Sequence, residues 1–181
     1  TSNGSCRRAR RTADERPRCT QLLHATLGGV EATMHGADSA RFPAADEVVV
    51  DWPDRYLRRE IGAGRIGAST AVCVMTHDTK FDVPALTVAL RSAVPLGFVG
   101  ALGSRRTHDD RLRRLHEAGL SDSELATLHS PVGLDLGGHT PAEAAVSIAA
   151  EIIAERTHAT GRPLHALTGP IHRTPGPLVQ V

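Results

Sequence analysis

The residues with the most chemical potential form the run Gly100-Ala101-Leu102-Gly103-Ser104-Arg105-Arg106-Thr107. Glycines at the end of an apolar strand let backbone N–H groups approach an anion, and a following helix amino terminus adds a favourable dipole. Arg105 and Arg106 bring two guanidiniums able to bind a phosphate or pyrophosphate. The same text also describes a tight βα turn with two solvated arginines, and its chemistry alone does not choose between these. A second cluster, Thr76-His77-Asp78 with Asp82, sets an imidazole and two carboxylates after another apolar run. Such groups hold divalent cations or move protons, but a capping network or a ligand contact accounts for them better than a metal. A third cluster, Pro131-Val132-Gly133-Leu134-Asp135-Leu136-Gly137-Gly138-His139, is a glycine-rich loop that leads into a helix. Gly133 and Asp135 are its candidates for a second anion-binding wall. The plainer reading is a turn that lets the next helix dock.

Regular elements must position these groups. Glu47-Val48-Val49-Val50 reads as a short strand stopped by Pro53, and residues 54–61 as a helix. Ala71-Val72-Cys73-Val74-Met75 is a continuous apolar run, the pattern of a strand buried on both faces. Asp82 then caps a helix with Pro84 in its first turn, and Val83, Leu86 and Leu90 share one face. Residues 96–102 form the next strand, and residues 107–118 a helix with Leu112 and Leu115 inward. Ser121 with Glu124, and Thr140-Pro141-Ala142-Glu143, are capping boxes. The second opens a helix carrying Ala145, Ile148, Ala149, Ile152 and Ile153 inward. Strands alternating with helices imply a parallel sheet of right-handed βαβ units, which binds ligands at the carboxy ends of its strands. The clusters after Met75 and Leu102 share that edge. Around this domain, placed at 41–158, residues 1–40 read as a poorly structured or weakly helical arm. Residues 159–181 read as an extended tail rich in Pro and Gly.

Composition narrows the function classes. The chain has 181 residues, 40% of them apolar and only 3% aromatic, so its core is built from Val, Leu, Ile and Ala. Few rings are left to stack on bases, which argues against nucleic acid despite the arginines at 7, 8, 10, 11, 16 and 18. A formal charge of +1 gives no general steering field. Cys6, Cys19 and Cys73 form no CxxC pair and are odd in number, which points to a reducing cytoplasm. Cys73, inside an apolar strand, reads as a small buried hydrophobe. No apolar run is long enough to span a membrane.

In this order the segments resemble the Rossmann domain of the XdhC/CoxI family. The resemblance rests on Arg41-Phe42-Pro43 with Ala45-Asp46-Glu47, Thr76-His77-Asp78 with Asp82, and Gly100 to Arg106. Pro131-Val132-Gly133-Leu134-Asp135-Leu136-Gly137, Thr140-Pro141-Ala142-Glu143 and Ala149-Ala150-Glu151-Ile152 continue it. It implies an α/β, Rossmann-like parallel sheet flanked by helices, with the first βα unit incomplete because residues 1–40 lack the family's opening strand and glycine turn. It implies an accessory protein rather than an enzyme. Such a protein binds molybdenum cofactor (molybdopterin), supports its sulfuration and helps insert it into a xanthine dehydrogenase-type hydroxylase. The implied partners are the molybdenum hydroxylase apoenzyme and a cysteine desulfurase or sulfurtransferase, and a homodimer is compatible with it. Gly100, Gly103, Ser104, Arg105 and Arg106 take the cradle, with His77 and Asp78 as a neighbouring wall. The abrupt change of text near Arg41 also leads us to expect a start that is truncated or read in an altered frame, and an inactive family member is then an alternative. The other alternative is an NAD(P)-binding Rossmann oxidoreductase. Against it, residues 100–103 give only GxxG where a dinucleotide fingerprint needs GxGxxG.

Overall fold

The structure, a computed structural model, describes residues 22–26, 31–34, 47–49, 51–76 and 78–171. In chain order it contains β1 (Leu22–Thr26), β2 (Glu31–Met34), β3 (Glu47–Val48), α1 (Pro53–Gly62), β4 (Thr70–Val74) and α2 (Thr79–Leu90). Then follow β5 (Phe98–Ala101), α3 (Arg105–Glu117), α4 (Asp122–Leu125), α5 (Pro141–Thr157) and a 3-10 turn at Leu164–Ala166. The strands lie in the order β3-β2-β1-β4-β5. β4 pairs parallel with β5 and β2 with β3, whereas β1 runs antiparallel to both its neighbours, β2 and β4. Four strands therefore point one way and β1 alone points against them. The spatial order is that of a Rossmann sheet, with one strand reversed. Only residues 27–30 separate β1 from β2, too few for a helix, so the first βα unit is indeed incomplete.

The segment read as an unstructured or weakly helical arm thus supplies two strands. It has none of the long apolar runs that mark a central strand, and sheet pairing rather than local propensity decides such a segment.

All five residues of β4 are buried, as expected of a strand covered on both faces. Val72 and Val74, with Val99 and Ala101 of β5, face Tyr56, Leu57, Ala85, Leu86, Ala89 and Leu115 from α1, α2 and α3. Ala71 and Cys73, with Phe98, face a thinner cluster built from Val132 and Ile148. Helices therefore flank both sides of the sheet. The expectation for α5 needs correcting: Ile148 is buried and Ile152 partly so, but Ala145, Ala149 and Ile153 are exposed. This helix is apolar nearly all round, so its sequence does not specify which face turns inward.

Both capping boxes form as read. Ser121 Oγ accepts the Glu124 N–H while Glu124 reaches back to Ser121, and Thr140 and Glu143 do the same at α5. The Ser121 N–H, Arg91 and the Ser121 hydroxyl together pull the Glu124 carboxyl down to about 2 from its ordinary 4.5. Because the folded value lies below the unfolded one, the stability contributed by this cap is complete above pH about 4.5 and fades as pH falls towards 2. Urea titrations from pH 5 down to pH 2 should therefore show a shallower loss of stability for Glu124→Gln than for the wild type. Equal slopes would mean that the cap carries no linkage.

Candidate functional site

The carboxy ends of β4 and β5 feed directly into α2 and α3, so the amino termini of both helices stand side by side on one edge of the sheet. Asp78 is the residue that caps α2: its Oδ1 accepts the Lys80 N–H at 3.0 Å. This corrects the cap expected at Asp82. The helix starts at Thr79, which places Asp82 at the fourth position, late in the first turn, and Pro84 in the interior. The Asp82 side chain turns inward instead. There it accepts a hydrogen bond from the Thr76 hydroxyl and one from Arg111 Nη2 at 3.1 Å. Arg111 Nη2 also donates to the Leu102 carbonyl at 2.9 Å, and Nη1 to Ser130 Oγ at 3.0 Å. Asp82 and Arg111 are 2% and 3% exposed, so this is a buried ion pair. It ties α2, α3, both strand ends and the segment after α4 into one unit. Arg111 Nε is buried without a hydrogen-bond partner.

Above this pair lies an open cavity of about 420 Å³, lined by Thr79, Asp82, Val83, Arg106, Thr107, Asp110 and Arg111. Ser104 caps α3, its Oγ accepting the Thr107 N–H at 3.2 Å. The N–H groups of Arg105 and Arg106 meet no acceptor among the described residues. Asp110 is held well below the usual carboxylate range by Arg114 and Arg113, at 2.8 and 2.7 Å, so its charge is already answered. Asp82 is likewise answered by Arg111. Arg106 forms no ion pair among the described residues, and it stands at the cavity wall on the positive end of α3. The arrangement suits an anion.

The structure brings the expected site residues only partly together. Arg106 lines the cavity, with Arg105 and Ser104 beside it in the first turn of α3 and its cap. Gly103 sits just below: a Cβ there would lie 3.0 Å from Thr107 Cβ, so its bareness lets the helix close onto the strand. Gly100 lies inside β5, where a Cβ would come within 2.7 Å of both Phe98 and Val132. Asp78 is spent on its cap, and His77 lies outside the described residues. Gly133 and the exposed Asp135 belong to the loop before α5 and are not among the cavity's lining residues. The Gly133 N–H and His129 Nδ1 both meet the Glu151 carboxylate of α5. Cys73 faces this side of the sheet, where burial and then the Glu151 charge push its thiol up to about 12. No thiolate nucleophile forms there at neutral pH.

Sequence reasoning missed Arg111 and Asp110, whereas Thr107 stood in the candidate run after β5 without a role of its own and Thr79 in the run after β4. A signal for the first was present. Arg111 lies one turn before the inward Leu115, and Asp82 one turn before the inward Leu86. Opposite charges on the core faces of consecutive helices are a demand for pairing.

A family model described as the XdhC Rossmann domain matches residues 10–152. The chain belongs to that family. The match begins ahead of the boundary read near Arg41, so it takes in β1 and β2 of this XdhC Rossmann domain. Over 96 residues the domain is 38% identical to the molybdenum cofactor insertion chaperone PaoD of Escherichia coli (strain K12), covering 53% of this chain and 30% of PaoD. It is 31% identical over 118 residues to a probable xanthine dehydrogenase subunit of Bacillus subtilis (strain 168), covering 65% of this chain and 32% of that protein. A crystal structure of a xanthine dehydrogenase from Bacillus halodurans matches with a TM-score of 0.50 at 33% identity, over 65% of this chain and 31% of that one. The XdhC domain thus spans about a third of the length of these relatives. Among the described residues no helix is long and apolar enough to cross a membrane.

Proposed function

We propose that this chain is a cytoplasmic accessory factor that binds molybdenum cofactor by its phosphate end. It supports the cofactor's sulfuration and passes it to a xanthine dehydrogenase-type hydroxylase apoenzyme. The observation that carries this reading is Arg106 on the wall of a 420 Å³ cavity at a helix amino terminus, where among the described residues its guanidinium has no ion-pair partner and two N–H groups have no acceptor. That donor set fits a phosphate, and the volume lies within the usual range for small-molecule sites. No aromatic side chain lines the cavity, so the described walls fit the phosphate end rather than the pterin rings. Arg105, Arg106 and the first N–H groups of α3 would hold that end, Gly103 and Ser104 would shape the turn beneath it, and Arg111 would floor it. When bound, the cofactor carries the metal chemistry that the hydroxylase will use. This chain binds, shields and releases, and its residues make no bond. The buried Cys73, its thiol pushed up to about 12, is not suited to accept sulfur, and this reading takes the sulfur from a partner desulfurase or sulfurtransferase. PaoD, a cofactor insertion chaperone by name, supports the reading through the shared segment.

The test is co-expression in a host that makes the cofactor, followed by molybdenum and pterin analysis per purified chain. Near-stoichiometric cofactor is expected, falling about tenfold or more in the Arg105→Ala, Arg106→Ala variant, since each charge-assisted contact is worth about 1.5–3 kcal/mol. Cofactor retained in the variant would move the cradle elsewhere. Folded protein without cofactor would sink the claim that this chain suffices. Bound NAD(P) in its place would favour the oxidoreductase alternative.

A further inference from the structure

The cavity walls carry cations and N–H groups but no ring, so a planar part of a phosphate-bearing ligand has to rest beside them. Of the Phe, Tyr and Trp rings among the described residues, Tyr56, Phe81 and Phe98 are buried. Trp52 alone is part-exposed. It follows β3, which points the same way as β4 and β5, so it stands on the edge of the sheet where α2 and α3 begin. There it is the cap residue of α1, with Pro53 fixing the first turn behind it. Asp51 Oδ1 accepts the Trp52 N–H at 2.8 Å, while Asp51 Oδ2 holds Arg59 at 2.8 Å. The indole leans on Phe81, with centroids 5.2 Å apart and planes tilted by 43°. A ring held in this way has little freedom left to lose when something stacks on it.

Lys80 rests on that ring. Its Nζ lies 4.9 Å from the Trp52 centroid and 5.7 Å from that of Phe81. Among the described residues the ammonium forms no ion pair, and it is exposed. A positive charge in the first turn of α2 also opposes the helix dipole. What keeps it in place is attraction to the ring face, which is weak at an exposed site. A nitrogen heterocycle stacked on the indole gains more than that contact gives. Thr79, one residue before Lys80, lines the cavity, so ring and cavity flank a single turn of α2. A ligand whose heterocycle and phosphate are joined by a short chain can engage both, and the displaced ammonium is left beside the bound anion.

We propose that the Trp52 indole is the stacking platform for the planar nitrogen heterocycle of the ligand whose phosphate sits at the start of α3, and that Lys80 leaves the ring as the heterocycle docks. The proposal rests on the anion cradle argued above and adds the place of the ring to it. A pterin and a nucleobase share this stacking chemistry, and titration tells them apart.

Calorimetric titration of the full chain tests it, with inorganic phosphate, neopterin monophosphate and adenosine monophosphate as probes. The wild type is expected to bind a ring-bearing probe about tenfold or more tighter than inorganic phosphate, the gain from stacking on one aromatic face. Neopterin monophosphate as the tighter of the two assigns the platform to a pterin, adenosine monophosphate to a nucleobase. Trp52→Ala should remove the gain and leave the affinity for inorganic phosphate unchanged, and Trp52→Phe should keep most of it, with circular dichroism confirming that both variants fold. Lys80 is the only lysine of the chain, so reductive methylation with isotope-labelled formaldehyde gives one lysine methyl signal by NMR. That signal should carry an upfield ring-current shift, and lose it both in Trp52→Ala and on saturation with the favoured probe. Ring-bearing probes that bind no tighter than inorganic phosphate overturn the platform and leave the cradle standing, whereas failure of all three to bind overturns both. A gain that survives Trp52→Ala, or a Lys80 signal unmoved at saturation, also overturns the platform.

Discussion

Replacing Arg111 by alanine is expected to lower folding stability by about 3–5 kcal/mol, the range for removing one partner of a buried ion pair. The Asp82 carboxylate, 2% exposed, would then lose the guanidinium that balances its charge, far from water. The Leu102 carbonyl and Ser130 Oγ would lose donors in the same step. Urea unfolding followed by circular dichroism measures the change, and a shift under about 1 kcal/mol would mean that water or a neighbouring side chain replaces the pair. The informative comparison is the double variant Asp82→Leu, Arg111→Met. If the single variant suffers mainly from a stranded charge, the double variant recovers most of the loss, because an apolar pair of similar volume needs no compensation. The pair's place in the fold gives it a second consequence. It joins the starts of α2 and α3, so without it the two cavity walls lose their fixed spacing and Arg106 loses its registration with Thr79. The double variant, stable but without the Arg111 floor, separates these effects: cofactor lost from a well-folded double variant would assign Arg111 a direct part in the site.

Much of this arrangement was legible because it is local. The buried runs of β4 and β5 read as strands from apolarity alone, and Ser121 with Glu124 and Thr140 with Glu143 read as caps from a three-residue spacing. The fold class and the edge that carries the polar clusters followed from those elements. What escaped was decided by pairing across the chain. Asp78 and Asp82 are both sensible helix caps in isolation, and Asp82 is excluded only because Arg111, 29 residues away, claims it. Nothing within Leu22–Thr26 or Glu31–Met34 announces a strand, still less one that reverses β1 against β4. That reversal bears on function. In a Rossmann sheet the first strand ends at the switch point in a glycine turn. Here the amino end of β1 lies beside the carboxy end of β4, since Leu22 pairs with Val74. No turn leading out of β1 can cradle an anion on that edge, and among the described residues the β4–α2 and β5–α3 junctions open there. The outward face of α5 escaped for a different reason: with Ala or Ile at most positions, several orientations satisfy the same pattern.

Gly133→Ala is the other substitution expected to cost heavily, about 3 kcal/mol, from two separate causes. The residue has φ +117°, where a side chain adds backbone strain of about 1–3 kcal/mol. A Cβ would also stand 2.6 Å from Ser147 Oγ. That hydroxyl cannot simply swing aside, because it donates to the Leu134 carbonyl, so overpacking adds about 1–3 kcal/mol. A cycle with Ser147→Ala separates the causes. Removing the hydroxyl relieves the contact but leaves the backbone strain, so the double variant should recover part of the loss and not all of it. Full recovery would mean the backbone accepts alanine at this angle, and no recovery would mean the contact was never the obstacle. The outcome also bears on why this loop is rich in glycine. The Gly133 N–H is already taken by Glu151, whose other oxygen holds His129, so the backbone at this position is committed to seating α5 on the sheet. Strain and contact together would show glycine required there by the docking of a helix.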